Sequence, residues 1–243
     1  MAFAHGSKAR AYLQGFDVSG FVKDLSDDLK IEAAETTNLK SLGKEFIPGL
    51  FEATVGADGF MDGAAGSDAT TFSFLVDSLM AVNNVLMTYY PQGEGVGNMA
   101  KGVQGQLTKN TIKTGVTGAG TVSLELNSDV GSEFASELHP QGAETVTGND
   151  ASSVDNGASS ANGGVAYLQI TAVSGSASPT LTATVQHSTD NSVFVDLVAF
   201  TAATAIGAQR VTVAGTVNRY TRTKRTISGT TPSFTYNVAF GRK

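Results

Sequence analysis

Few side chains in this 243-residue sequence stand at the spacings that chemistry requires. The three histidines, His5, His139 and His187, are far apart, and none has a partner at HExxH or paired-ligand spacing. They are expected to be solvated or turn histidines. No serine has Gly both two places before and two places after it, so the nucleophile elbow is missing. Gly43-Lys44 lacks the rest of a phosphate loop. Gly95-Val96-Gly97-Asn98-Met99-Ala100 matches GxGxxA, but a loop containing Pro91 precedes it and a polar strand pattern follows, where a dinucleotide site needs a strand and then a helix. Asp58-Gly59-Phe60-Met61-Asp62-Gly63 fails as a calcium loop, because Phe60 is third and Ala69 twelfth; it reads as a tight turn leading into a helix. Asp27 and Asp28 are adjacent, so on a strand they would point to opposite faces and could not flank one bond; a solvated turn is the simpler reading. No catalytic residue, metal site or cofactor is expected, and the chain is not expected to be an enzyme.

Arg219, Tyr220, Arg222, Lys224 and Arg225 form the kind of basic and aromatic run that a nucleic-acid surface uses. One strand's worth of charge in a chain of net charge −6 favours a solvated strand or a subunit contact instead. The absence of Cys excludes a disulfide framework, thiolate metal sites and a Cys nucleophile. With 41% hydrophobic residues the chain is too apolar to be disordered. The most apolar stretch, Phe72–Tyr90, carries Asp77, Asn83 and Asn84, and MAFAHGSKARAYL has no apolar core, so neither a secretion signal nor membrane insertion is expected.

The rest of the composition belongs to sheets. Gly 28, Ser 22 and Thr 28 suit strands and tight turns. Period-two alternation places Ala11/Leu13, Leu29/Ile31/Ala33, Phe51/Ala53/Val55 and Val122/Leu124/Leu126 each on one apolar face of a strand. Phe72, Leu75, Val76, Leu79 and Met80 fall instead at helical spacing, which predicts one amphipathic helix over roughly 69–82, capped by Ser67 or Asp68 and ended by Asn83-Asn84. Val85–Tyr90 and Lys101–Lys113 read as further strands.

TGNDASSVDNGASSANGG, residues 147–164, offers little to anchor a core, so three segments are expected: a domain over 1–146, a linker over 147–164 and a second domain over 165–243. Residues 1–145 hold 18 acidic against 9 basic side chains, and residues 146–243 hold 4 against 7. In the second domain, short strands at Ala166–Val173, Leu181–His187, Val193–Phe200, Gln209–Val213, Asn218–Ile227 and Ser233–Phe240, punctuated by SGSASP, STDNS and SGTTP, predict an all-β sandwich. Phe234, Tyr236, Val238 and Phe240 should line its core.

The segment ETTNLKSLGKEFIPGLFEATVGADGF (35–60) resembles the core of the major tail proteins, or tail-tube proteins, of bacteriophages with long non-contractile tails (siphophages). VQHSTDNSVFVDL (185–197) and QRVTVAGTVNRYTRTKRTISGTTPSFTYNVAFGRK (209–243) are similar to a C-terminal segment of many such proteins. The resemblance implies a mainly β chain: an N-terminal tail-tube β-sandwich or open barrel with one flanking α-helix, and a C-terminal all-β sandwich. It implies a structural virion protein that self-assembles into stacked hexameric rings, forming a tube that conducts DNA into the host. The implied partners are further copies of itself, the tape-measure, tail-terminator and distal-tail proteins, and viral DNA in non-specific passage. The implied location is the virion tail tube, after assembly in the host cytoplasm.

On that reading the wet strand faces would line the lumen with Lys30, Glu32, Glu52, Thr54, Gln104, Gln106 and Glu125. An acidic wall would let a polyanion slide. The resemblance makes Thr36, Thr37, Asn38, Leu39, Lys40, Ser41, Leu42, Gly43, Lys44, Glu45 and Phe46 the loop that bridges one ring to the next. Ser132–Ala143 is either an arm lying on a neighbour or a plain connection. The alternative function is a carbohydrate- or cell-surface-binding β-sandwich of a virion, though Trp is absent and few aromatics fall outside the core rows.

Overall fold

The computed structural model describes residues 6–40, 42–61 and 72–243. In chain order its elements are β1 (Arg10–Leu13), β2 (Phe16–Asp17), β3 (Val22–Glu35), β4 (Phe46–Phe60), α1 (Phe72–Leu79), β5 (Val85–Tyr90), β6 (Met99–Gly115), β7 (Gly118–Glu144), β8 (Gly148–Asn149), β9 (Val154–Asp155), β10 (Gly164–Ser188), β11 (Val195–Ala199), β12 (Gly207–Val213) and β13 (Tyr220–Arg242). The class is mainly β with one α-helix among the described residues, as the alternation predicts. The helix buries Leu75, Val76 and Leu79 and stops sooner than expected, where two four-residue turns follow it (Met80 N to Asp77 O, 3.2 Å; Val82 N to Leu79 O, 3.0 Å). Its expected cap and residues 69–71 lie outside the described residues, as does His5.

The chain forms two compact units, and their division differs from the expected one. Unit 1 comprises Met1–Gly20, Leu86–Gly102 and Glu133–Lys243; unit 2 comprises Phe21–Val85 and Val103–Ser132. The segment expected to be a linker, 147–164, belongs to unit 1. There β8 and β9 pair with β13, Ser160 and Val217 exchange backbone bonds, and Val154 joins the core. Backbone and amide hydrogen bonds hold this strap (Asn156 Nδ2 to Arg219 O, 2.9 Å), which is why a search for apolar periodicity missed it. Ser132–Ala143 is likewise neither arm nor plain connection: it is part of β7 and pairs with β13 from Ser136↔Phe240 to Ala143↔Thr235.

In unit 1, β10 and β13 are long bent partners. Their first contacts, Gly164↔Arg242 to Ser174↔Ser233, and their last, Thr180↔Ser228 to Ser188↔Tyr220, belong to one antiparallel ladder. SGSASP and SGTTP, expected to be turns between strands, lie opposite each other and bulge out of register, with positive φ at Gly175, Ala177, Ser178, Gly229 and Thr231. Bulges of this kind bend a strand without ending it. The bend lets β12 and β7 extend one half of the pair while β11, β8 and β9 extend the other. Leu168, Ile170, Leu181, Val185, Phe234, Tyr236, Val238 and Phe240 are buried together as a sandwich core, with the expected aromatic row inside it. The opposite face of β10 and β13 is buried as well, where Val165, Tyr167 and Ala239 meet Tyr12, Leu86, Tyr90, Ala100 and Ala135. Gln169 and Asn237 are tolerated on this second face because each is bonded: Gln169 accepts from Gly15 N at 2.7 Å, and Asn237 accepts from the Tyr90 hydroxyl at 2.9 Å.

In unit 2, β3 pairs with β4, and β4 pairs with β7 only from Ala53↔Ser128 to Phe60↔Thr121. Ala53, Val55, Ala57, Val122, Leu124 and Leu126 are buried as the alternation predicts. Leu29 and Ile31 are not: they are 55% and 61% exposed. The strand is present, but beyond Ala53 the β3–β4 ribbon has no third strand among the described residues, so its alternation has no layer to face.

Candidate functional site

The register of β3, β4 and β7 assembles one polar sheet face in unit 2. Opposite the buried row, Asp24 faces Asp58, Ser26 faces Gly56, Asp28 faces Thr54 and Lys30 faces Glu52. On the other side of β4, Thr54 faces Asn127, Gly56 faces Glu125 and Asp58 faces Ser123. Thr54 and Asn127 are side-chain bonded at 3.0 Å, and Lys109 Nζ comes to 3.9 Å from Glu125. Asp24, Ser26, Gly56, Asp58, Lys109 and Glu125 line a shallow depression of about 240 Å³. Unit 2 holds thirteen acidic against six basic residues. Directly opposed like charges such as Asp24 and Asp58 destabilise a sheet. The Lys23 ammonium, 3.2 Å from Asp24, offsets only part of that.

The structure thus brings Lys30, Glu52, Thr54 and Glu125 to one face. Glu32, exposed, follows Lys30 at the bulge between Ile31 and Ala33. Gln104 and Gln106 are half-buried on β6. Gln106 turns its amide to the carbonyl of Met80 after α1 (2.9 Å), so that side chain serves the helix end. Missing from the residues expected on this face were Asp24, Asp28 and Asp58. Asp27-Asp28 is mid-strand and not a turn, with Asp27 accepting from Ser132 Oγ at 2.5 Å. Asp58–Phe60 is the end of β4, and Asp62-Gly63 lies outside the described residues. The cross-strand register, which a single sequence does not display, was the signal needed.

Thr36–Glu45 forms the tip of the β3–β4 ribbon, closed by Thr36 N to Glu45 O at 2.8 Å and by Glu45 N to Thr37 Oγ1 at 3.0 Å. Phe46 is already β4, opposite Glu35, and Ser41 is outside the described residues. Leu39 and Leu42 are fully exposed, and Phe46 and Ile47 are each 53% exposed.

The basic side chains of the Arg219–Arg225 run in unit 1 are engaged within the unit. Arg219 pairs with Asp155, Lys224 with Asp196, and Arg225 with Glu144 and Asp150. Arg222 stacks on Phe194, 3.9 Å from the ring centroid, and bonds Gln186 at 3.0 Å. The basic run therefore braces strands and leaves little to offer a phosphate. His139 and His187 are not solvated turn histidines. His139 is buried, stacked on Tyr236 and 2.9 Å from Asp150; His187 accepts from Asn218 N, and burial holds its pKa below the usual imidazole value. His139, Glu144 and Asp150 bring ligand-type atoms within 4.8 Å of one another, but the guanidinium of Arg225, 2.8 Å and 2.9 Å from the two carboxylates, already pairs with both of them. Glu133 gathers Tyr167, Arg210 and Lys243; burial alone would raise its pKa, and these hydrogen bonds outweigh it to hold the carboxyl below its ordinary value.

No protein-family model matches the chain, and no curated protein matches it. Among solved structures it is similar to the SPP1 tail tube (12% identity, 56% of this chain and 80% of that one, TM-score 0.43) and to the tail of an empty gene transfer agent particle (14%, 47% and 81%, TM-score 0.38). It is also similar to the SPP1 Dit protein, described as a hub of the adsorption apparatus in Gram-positive infecting phages (14%, 96% and 99%, TM-score 0.40). The likeness is one of fold.

Proposed function

We propose that this chain is a structural protein of a virion tail, self-associating into stacked six-fold rings whose bore conducts viral DNA. The observation that carries the reading is the build of unit 2: one sheet with a dry face, an acidic face and a 14-residue strand, β3, whose outer edge has no partner strand among the described residues. Such an edge invites pairing with a second copy, and a closed ring leaves no member with a free edge. The acidic face then turns to the bore, where Glu52, Glu125 and the added Asp24, Asp28 and Asp58 repel phosphates. The ribbon tip Thr36–Glu45, with Leu39 and Leu42 exposed, reaches the next ring. The sequence resemblance of residues 35–60 points the same way. Tape-measure, terminator and distal-tail proteins are the partners this role requires, and assembly would take place in the host cytoplasm.

The test is negative-stain electron microscopy of the purified protein at high concentration, beside size-exclusion chromatography with light scattering. Rings or hollow tubes are expected. A monomer that stays monomeric at high concentration and does not extend added tail tips would overturn the reading.

A further inference from the structure

Glu137, on β7 in unit 1, is fully buried, and the ion pairs among the described residues do not include it. It carries the glycine-rich loop that follows β5. Its Oε2 accepts the N–H of Gly95, its backbone carbonyl accepts the N–H of Gly97 at 2.8 Å, and its own N–H donates to Asn98 O at 2.9 Å. The loop closes on itself through Asn98 Nδ2 to Gly93 O at 3.0 Å. Oε1 of Glu137 has no partner. The GxGxxA run, which has no dinucleotide to hold, is thus wrapped around a carboxyl group.

The groups that face this carboxyl are acids and neutral donors. Glu94 on the loop accepts the Tyr12 hydroxyl of β1 at 2.7 Å and Gln141 N of β7 at 3.3 Å. Tyr90 of β5 spends its hydroxyl on Asn237 of β13, and β13 places Ala239 directly opposite Glu137. An ionised carboxylate here would keep one side-chain hydrogen bond, which does not repay the loss of its hydration. Burial accordingly pushes the Glu137 carboxyl up to about 8; the Gly95 N–H lowers it and the Glu94 charge raises it further.

We propose that the Gly93–Asn98 loop is a proton-controlled clasp, closed on Glu137 while that carboxyl is protonated and released when it ionises. A buried carboxylate must draw in water, and the loop is the surface segment bonded to it. Releasing it moves Val96, already 37% exposed, together with the Gly95 and Gly97 amides away from β7. Opening is then linked to loss of one proton: the open fraction rises by up to about tenfold per pH unit between the ordinary carboxyl value, regained when the loop is open, and about 8, and levels off above that.

Amide hydrogen exchange of the full chain between pH 6 and 9.5, corrected for the intrinsic pH dependence of exchange, tests this. Protection of Gly95 and Gly97 should fall by up to about tenfold per unit from pH 6 to about pH 8 and level off above it. The amides of Ser192 and Val193 serve as an internal control: they are held by Asp190, whose carboxyl those same bonds keep below its ordinary value, and they should not change. A flat profile at Gly95 and Gly97, or an equal fall at both loops, would overturn the proposal. Glu137→Gln, which mimics the neutral acid, should abolish the slope, and a variant that keeps it would overturn the proposal too. Should that variant not fold, the comparison of the two loops in the natural chain decides alone.

Discussion

At the residue scale, two side chains in unit 1 show opposite solutions to burying charge. Arg225 and its partners Glu144 and Asp150 are only 12%, 24% and 11% exposed, so removing the guanidinium leaves two carboxylates uncompensated. Arg225→Met should cost about 3–5 kcal/mol in urea unfolding, and adding Glu144→Gln with Asp150→Asn should recover part of it. Glu137 has no cation and stays neutral instead. Its pKa is raised on folding from 4.5 to about 8. Its contribution is therefore complete below pH 4.5 and lost as pH rises through 8, by at most about 1.4 kcal/mol per pH unit. The melting temperature should fall across that window in the natural chain and less steeply in Glu137→Gln. Glycine has an equally specific role at Gly102, where a Cβ would overlap the Tyr167 ring. Gly102→Ala should destabilise by about 1–3 kcal/mol, read as a lower melting temperature.

At the element scale, what was legible in the sequence was whatever has a local period. The β1 strand, the buried rows of β4 and β7 and the aromatic row of β13 follow from alternation and the helix from helical spacing, while β5 follows as a short apolar run, buried throughout, that a turn sequence stops. Elements held mainly by hydrogen bonds, such as the 147–164 strap with its one buried apolar side chain, Val154, left little apolar trace. SGSASP and SGTTP carry the residues of tight turns, and only their pairing across β10 and β13 reveals them as bends. In the candidate site, four of the seven residues expected on the wet face share it by register, while Gln106 was claimed by the end of α1. The β3–β4 ribbon is the element whose alternation misled most, since Leu29 and Ile31 have nothing to pack on within the chain. Replacing Thr36–Glu45 by a two-residue turn should therefore change the melting temperature of the isolated chain little while abolishing long tubes. Loss of the fold would mean that the tip stabilises its own chain rather than its neighbour's.

At the scale of the whole molecule, the charge is sorted by unit: unit 2 bears all of the excess acid, and unit 1 has one more basic than acidic residue. If that acid lines a bore, Glu52→Lys with Glu125→Lys should leave tubes intact but slow DNA release from assembled particles, measured as genome ejection in vitro. Normal release would remove the repulsive wall from the account. The division into units has another consequence. The chain passes between them at Gly20, Val85, Gly102 and Ser132, twice in the middle of the unbroken strands β6 and β7. Unit 1 is thus written in three separated stretches of the gene. Expression of residues 165–243 alone, which would strip Tyr12, Leu86, Tyr90 and Ala135 from the second face of β10 and β13, should give an insoluble or poorly folded product by circular dichroism. Neither unit can be inherited, swapped or lost as a cassette by one recombination event, so sequence change in one must be accepted in the company of the other.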